Sequence, residues 1–404
     1  MYLSYFDKFL GLEPYLEIDE KEWEYIKETF DKEDVKESLA KVAMTYEIPY
    51  AEISEKDALK EYKKLKGMHQ SDILVEGEWF AREGTEYSYP LEFEGKQQYF
   101  RRINSGNSAS NYFQQANRWS VDGSVSPGPK RTWESEKFMT SLMGSAYSLK
   151  MPKINRNVLR TMIGLRKYIC AQFKPNVAKV LYDKLGSKSI LDFSAGWGDR
   201  LAGFYASETG EFYMGIDPRK ENHPIYHEQS EFYDKHRTMF EVPKKSMFVE
   251  HPAEDFEYKE NSYDTVFTSP PYFNVERYSY DDTQSWVRYK TIDEWNKNFL
   301  QKTLKKVWNS IKSGGYLLVN ISDVYASSGG SKKWLEICNP MNDFLSTFSD
   351  SEYQGCIGME MAKRPNSGGA GTASEERFKD ETRELAEQTK DKTFCEPIWV
   401  WKKY

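Results

Sequence analysis

Thr268-Ser-Pro-Pro-Tyr272 is the stretch whose residue types point most directly to chemistry. The run Tyr263–Phe267 before it is rich in β-branched and aromatic residues and predicts a buried strand. Two consecutive prolines remove two N–H donors and fix φ near about −65°, so the strand cannot continue past them. A stiff, extended turn results. It presents the Ser269 hydroxyl, carbonyls held in place by Pro270 and Pro271, and the face of Tyr272. Such oxygens accept the N–H bonds of a flat substrate that carries an amino group, while the ring stacks on it. The same four residues can simply end a strand; the context upstream decides for the first reading.

That context is Ile190-Leu-Asp-Phe-Ser-Ala-Gly-Trp-Gly-Asp199, a strand running into a glycine-containing turn and then a helix. Gly196 and Gly198 let the backbone turn sharply and approach a ligand. Asp217 ends the next strand, in Gly215-Ile-Asp-Pro218. An acid at that place accepts both hydroxyls of a ribose. The third glycine of a dinucleotide loop is missing, because position 201 is Leu, and no Walker lysine is present. A nucleoside without phosphates is therefore favoured over ATP or a pyrophosphate cofactor. Pro252-Ala-Glu-Asp-Phe256, after the third strand, offers groups that can meet an adenine.

These loops need a scaffold, and the chain supplies one from about residue 150 onward. Strands Ser189–Ala195, Phe212–Asp217, Ser246–His251, Tyr263–Thr268 and Gly315–Ser322 alternate with helices from about Asp199, Asn222–His236 and Asp293–Ile311. The alternation predicts a parallel, doubly wound sheet. A helix Lys332–Phe348 is expected next. Two last strands, Tyr353–Met361 and Cys395–Lys402, flank a polar excursion, Lys363–Thr393, and suit an antiparallel edge. The expected fold is thus α/β, a Rossmann-like doubly wound sheet of seven mostly parallel strands with an antiparallel last strand. Residues 1–150 form an α-rich or mixed N-terminal domain and 151–404 the catalytic domain. In the former, Glu20–Phe30, Lys32–Thr45 and Glu55–Lys66 have helical spacing, and residues 66–150 are rich in Asn, Ser, Gly, Gln and aromatics.

Composition narrows the setting. Hydrophobic content of 39% over 404 residues is enough for a full core. No apolar run approaches the roughly 20 residues of a membrane helix, and the first residues lack a basic-then-apolar leader. Cys170, Cys338, Cys356 and Cys395 are far apart, without a CxxC, and read as reduced thiols rather than a disulfide frame or zinc site. A net charge of −7 does not advertise a nucleic-acid binder, yet residues 150–190 carry ten Lys/Arg against Asp183 alone. That run serves equally well as a local basic surface or as a solvated helix face.

From about residue 165 to 325, with the last strand, the chain resembles the class I S-adenosylmethionine-dependent methyltransferases, specifically the amino-methyltransferases of DNA. Asp192–Gly198 is similar to their first motif. Phe173-Lys-Pro175 is similar to the motif enclosing the methionine end of the cofactor. Thr268–Tyr272 is similar to their catalytic motif. The resemblance implies S-adenosyl-L-methionine, with Asp192, Gly196 and Gly198 at its methionine part, Asp217 at its ribose and Asp255 at its adenine amine. Phe173, Lys174, Phe193, Ser194, Ala195, Pro218, Phe256 and Thr268 complete the implied cofactor site. It also implies that Ser269 and the Pro270 carbonyl grip the target amine on a turn stiffened by Pro271, and that Tyr272 stacks on a base flipped from DNA. The cofactor-first motif order is usual for adenine-modifying groups, whereas Ser at the first catalytic place is more usual for N4-cytosine enzymes, which stand slightly ahead. An RNA base as substrate, or a non-catalytic subunit that binds cofactor or DNA, are the alternatives. No Pro-Cys dipeptide is present for covalent attack on cytosine carbon 5. The resemblance further implies restriction–modification, a cytoplasmic setting in a bacterium or virus-infected cell, and neither metal nor membrane. Target recognition is expected in residues 66–150, with 273–292 and 363–394 as other candidates.

Overall fold

The computed structural model describes residues 2–81, 87–124, 126–328, 330–361 and 391–404. The chain divides into two compact units that are discontinuous in sequence, rather than at a single boundary near residue 150. The first comprises residues 1–53, 115–171 and 276–279; the second comprises 54–114, 172–275 and 280–404.

In the first unit, helices Glu20–Thr29, Lys32–Ala43, Glu136–Ser148 and Arg156–Arg166 surround one core. Spacings of three and four place Trp23 and Ile26, then Val35, Leu39 and Val42, inward beside Met139, Leu142, Met162 and Ile163. Asp19 and Asp31 cap the first two helices through their side chains. A two-residue antiparallel ladder joins Glu17–Ile18 to Ile154–Asn155, and another joins Asp122–Gly123 to Glu276–Arg277.

The second unit is built on a ten-stranded sheet. Its strands are β1 (Leu74–Glu76), β2 (Trp79–Phe80), β3 (Gln98–Phe100), β4 (Ser189–Asp192), β5 (Phe212–Ile216), β6 (Lys245–Val249), β7 (Tyr263–Thr268), β8 (Ile311–Asn320), β9 (Ser351–Glu360) and β10 (Thr393–Lys403). The order across the sheet is β1-β3-β9-β10-β8-β7-β4-β5-β6, with β2 beside β10. Strands β8, β7, β4, β5 and β6 run parallel, and β10 is antiparallel to both β8 and β9. The doubly wound, mostly parallel sheet with an antiparallel last strand is therefore present. It is longer than expected, because residues 54–114 add β1, β2 and β3.

Neighbouring residues of each central strand face opposite sides, as the pleat requires. Ile190, Tyr213, Phe267 and Leu318 meet helices Pro175–Lys184, Asp199–Ala206 and Asn222–Lys235 on one side. Leu191, Met214, Val266 and Leu317 meet the helical stretch Ile292–Ser310 and helix Cys338–Ser346 on the other. The stretch Ile292–Ser310 contains a π-helical segment, Asn296–Gln301.

One local expectation changes. Lys332–Phe348 is not one helix: Val324–Ser328 and Ser331–Leu335 form an antiparallel hairpin, and the helix is Cys338–Ser346. Asp323 accounts for the late start, since its Oδ1 accepts the N–H groups of Ile337 and Cys338 at 2.8 and 3.0 Å. Pro129–Trp133 forms a short helix with Pro129 at its first turn. Residues 363–390 of the polar excursion lie outside the described residues.

Five cations of the basic run 150–190 are paired with acids. In the first unit Arg156 pairs with Glu52 at 2.8 Å and Lys153 lies 3.9 Å from Glu17. In the second, Lys179, Lys184 and Lys188 pair with Asp183, Glu94 and Glu211.

Candidate active site

The glycine turn follows β4 and is tied down on three sides. Gly196 and Gly198 take φ of +59° and +68°, which L side chains rarely adopt. Ala195 N donates to Ile216 O at 3.0 Å, pinning the turn to β5. Gly196 N donates to Asp217 Oδ2 at 2.9 Å, while Gly196 O accepts from Asn222 Nδ2 at 2.9 Å and from the Tyr226 hydroxyl at 2.6 Å. Helix Asn222–Lys235 thus holds the turn from the side opposite Asp217.

Asp217 is 8% exposed. Its other oxygen accepts Arg219 N at 2.9 Å, and its carbonyl lies 2.8 Å from His223 Nε2. Burial pushes its carboxyl above the ordinary value, against the pull of the two N–H donors. Pro218 follows, half-buried, and the Arg219 guanidinium lies 5.3 Å from the centre of the Trp197 ring.

Asp192 lies beneath the turn with no exposure. Arg200 Nε donates to its Oδ2 at 2.7 Å, Tyr213 donates to the same oxygen at 2.7 Å, and Ser194 N donates to Oδ1 at 3.2 Å. Arg200 also donates to the Ser194 carbonyl. The Asp192 carboxylate is therefore engaged by protein groups on both oxygens. Phe193 is fully buried in the core on one side of the sheet and Ala195 on the other, so each offers a ligand its backbone. Phe173 packs edge-on to Phe267 at 5.5 Å, with the Arg200 guanidinium 5.1 Å from its ring centre. Lys174 donates to Asn104 at 2.9 Å.

The register between β7 and β4 brings the two chemically distinctive loops together. Thr265 pairs with Ile190 and Val266 with Leu191, in parallel. Carried two residues on, Thr268 is level with Phe193, so the Ser-Pro-Pro-Tyr turn and the glycine turn leave adjacent strands at the same carboxyl edge. Thr268 is fully buried and its Oγ1 has no hydrogen-bond partner; nor has Asn222 Oδ1. Pro270 is buried, and Ser269, Pro271 and Tyr272 are half-buried. The Tyr272 hydroxyl donates to the Asn320 carbonyl at 3.4 Å, with the Ser269 side chain and the Glu396 carboxylate nearby. Burial, then the nearby Glu396 carboxylate, pushes this phenol well above its ordinary value.

The segment after β6 carries a third set. The Asp255 carboxylate is held by Lys302 Nζ at 2.8 Å and Arg288 Nη2 at 2.6 Å, which keep it below the usual carboxylate range. Glu254 is 1% exposed, accepts from Arg288 and from the Tyr289 hydroxyl, and is raised by burial. Phe256 is half-buried between His251 and Tyr258. The structure thus brings Gly196, Gly198, Asp217, Thr268, Ser269 and Tyr272 to one sheet edge. It turns Lys174 and the Asp255 carboxylate toward other partners. Arg200, Tyr213, Asn222 and Tyr226, which the sequence reading did not single out, hold the site. Only Arg200 carried a usable signal, as a cation eight residues after Asp192 on a helix that starts at Asp199.

Among the described residues, no group of three or more His, Cys, Asp or Glu is arranged to hold a metal, and no helix is long and apolar enough to cross a membrane. No protein-family model and no curated protein sequence matches the chain. Solved structures similar to it include an S-adenosylmethionine-dependent methyltransferase of Methanosarcina mazei, at 12% identity over 54% of this chain and 93% of that one, with a TM-score of 0.33. One from Archaeoglobus fulgidus matches at 12% identity over 57% and 95%, with a TM-score of 0.32. An O-methyltransferase of Thermotoga maritima matches at 11% identity over 58% and 68%, also with a TM-score of 0.32.

Proposed function

We propose that the chain is an S-adenosylmethionine-dependent methyltransferase acting on the exocyclic amine of a base flipped out of DNA, N4 of cytosine ahead of N6 of adenine. The observation that carries this reading is the juxtaposition of the glycine turn and the Ser-Pro-Pro-Tyr turn on adjacent strands, with the orphaned Thr268 hydroxyl at the end of the second.

The residues suit the cofactor by the buried polar atoms they leave without partners. Gly196 brings bare backbone to the edge, and Asp217 offers a carboxylate for ribose hydroxyls once its loop contacts relax. Asn222 Oδ1 and Thr268 Oγ1 are buried polar atoms in search of partners. When bound, S-adenosylmethionine supplies a methyl already activated on a sulfonium. Asp192 serves this site from beneath, by fixing Ser194 and Arg200. Phe256 provides an aromatic surface for adenine, and the Asp255 carboxylate, held by two cations, positions that segment.

On the substrate side, the amine's lone pair is delocalised into the ring, so it is a weak nucleophile. The Ser269 hydroxyl and the Pro270 carbonyl accept its N–H bonds, which favours a pyramidal nitrogen and frees the pair. What remains is in-line positioning and oxygens placed for the cation that develops at nitrogen. Flipping the base costs a few kcal/mol, and stacking on Tyr272 returns about 1–3 kcal/mol. Residues 66–150 are the proposed seat of target recognition; 115–150 of them belong to the first unit, which also carries Arg160 and Arg166 on helix Arg156–Arg166.

The test is a competition assay. Radiolabelled methyl transfer from S-adenosylmethionine is measured on duplex DNA, single-stranded DNA and RNA of the same sequence. Label in DNA supports the reading. Label in RNA alone would move the substrate to RNA, and label in none, with cofactor binding confirmed, would refute a nucleic-acid substrate.

A further inference from the structure

Shortly after Tyr272 the chain passes from the second unit into the first, at Glu276, and it returns at Tyr280. Backbone and side chains both hold this excursion inside the first unit. Glu276 pairs with Gly123 and Arg277 with Asp122, antiparallel. The Glu276 carboxylate accepts from the Tyr168 hydroxyl on one oxygen and from the Tyr278 hydroxyl on the other, and the Cys170 thiol lies 3.2 Å from it. A Cβ at Gly123 would come within 2.8 Å of the Tyr168 ring, so glycine lets the ladder and the phenol share this space. Asp122 is itself fixed, accepting Gly128 N at 2.7 Å and Arg131 Nη1 at 2.9 Å.

The other end of the connection is held in the second unit. Phe273 follows Tyr272 directly, is fully buried and takes φ of +52°, where a bulky residue rarely sits. Its ring lies edge-on to Trp295 at 6.3 Å. Phe273 N donates to Pro271 O and Val275 N to Tyr272 O, each at 3.1 Å. A left-handed residue of this kind costs about 1–3 kcal/mol and persists only where its surroundings over-determine it. The backbone from Tyr272 to Glu276 is therefore a closed turn between two fixed points, with little slack to absorb a displacement of either.

We infer that Glu276 is a positioning residue for methyl transfer: it ties the first unit to the Ser-Pro-Pro-Tyr turn, so that Tyr272 meets the base in the reactive geometry only while the excursion is locked. This rests on the reading of the site as an amino-methyltransferase. In this role Glu276 contacts neither substrate nor cofactor. It acts through the short connection, and a misplacement of about 1 Å at the reacting atoms is enough to cost about 100-fold in rate. Residues 115–150, part of the proposed seat of target recognition, belong to the same unit as Glu276. The unit that reads the target thus also sets the turn that holds the base.

The experiment uses the full-length protein and the nucleic acid that the wild type methylates, in single-turnover transfer from S-adenosylmethionine. One variant carries two glycines inserted between Val275 and Glu276, which lengthens the connection and leaves every contact of the excursion available. The second is Glu276→Gln, which keeps the shape and puts an amide N–H group where a phenol donates. The third combines them. The insertion is expected to slow transfer by about 100-fold and Glu276→Gln by about tenfold, with nucleic-acid and cofactor affinity each within about threefold of wild type. The combined variant should be no slower than the insertion alone, because a slack connection no longer carries what the anchor does. A wild-type rate in the insertion variant, a further loss in the combined one, or a fall in either affinity that matches the fall in rate would overturn the inference while leaving the methyltransferase reading intact. No transfer by the wild-type protein to DNA or RNA would instead overturn that reading, and the positioning role with it.

Discussion

Asp192 and Arg200 show how the cofactor edge is held at the level of single residues. Both lie within 4% exposure, and the carboxylate has Tyr213 and a backbone N–H as further donors. A buried pair satisfied in this way costs little while intact, but removing one partner leaves an unmatched charge and typically loses about 3–5 kcal/mol. Arg200→Met should therefore destabilise the protein by that amount in urea denaturation; a loss below about 1 kcal/mol would mean that Asp192 is otherwise compensated. On the substrate side, Ser269→Ala and Tyr272→Ala should each lower methyl transfer by about 100-fold or more, the usual scale for losing one positioned oxygen or one stacked base. Calorimetry should give nearly unchanged affinity for S-adenosylmethionine. Loss of cofactor binding in both variants would contradict the division of labour between the two turns.

At the scale of elements, the decisive feature is a strand that ends where its neighbour's loop begins. Gly198 shows how tightly that edge is packed. Its φ is positive, and a Cβ there would press on the Gln229 side chain, with the amide carbon 2.8 Å away. Gly198→Ala should lower the stability of the turn by about 1–3 kcal/mol through backbone strain. It should weaken cofactor binding in parallel, read by thermal denaturation and calorimetry on one preparation; unchanged binding would show that the turn is not a ligand cradle. The turns and central strands were legible in the sequence because they depend on local signals: β-branched runs, Gly-x-Gly, and two prolines. The added strands β1, β2 and β3 were not, since two or three residues are too short to show alternation. The hairpin at 324–335 was hidden because Trp334, Leu335, Ile337 and Cys338 have spacings that also suit a helix. The side chains that hold the site, Tyr213, Asn222 and Tyr226, meet it across elements, and no spacing along the chain announces such contacts.

At the scale of the molecule, a buried lysine just ahead of β6 gives stability a readable dependence on pH. Lys244 is 8% exposed and donates to the Ser207 and Gly210 carbonyls at 2.8 and 2.7 Å. Desolvation pulls its ammonium from 10.5 down to about 8. Below that value both folded and unfolded chains hold the proton. Between about 8 and 10.5 the unfolded chain binds more protons than the folded one, so stability rises with pH through this window. The buried phenols of Tyr182 and Tyr213 act in the opposite sense above about pH 10, because their raised values make the folded chain the one that keeps its protons. Urea denaturation at pH 8 and 9.5 should therefore show a gain in the wild type that is smaller in Lys244→Met. An equal gain in both would assign the rise to other groups.

The central claim is that the paired turns transfer a methyl to a base amine. Its most direct test is to incubate the purified protein with S-adenosylmethionine and unmodified DNA, digest the DNA to nucleosides, and analyse them by mass spectrometry, with RNA in parallel. The account predicts N4-methylcytosine, or N6-methyladenine in its place, in the wild-type digest and neither in the Ser269→Ala digest. No methylated nucleoside from either polymer, with cofactor binding confirmed, would contradict it.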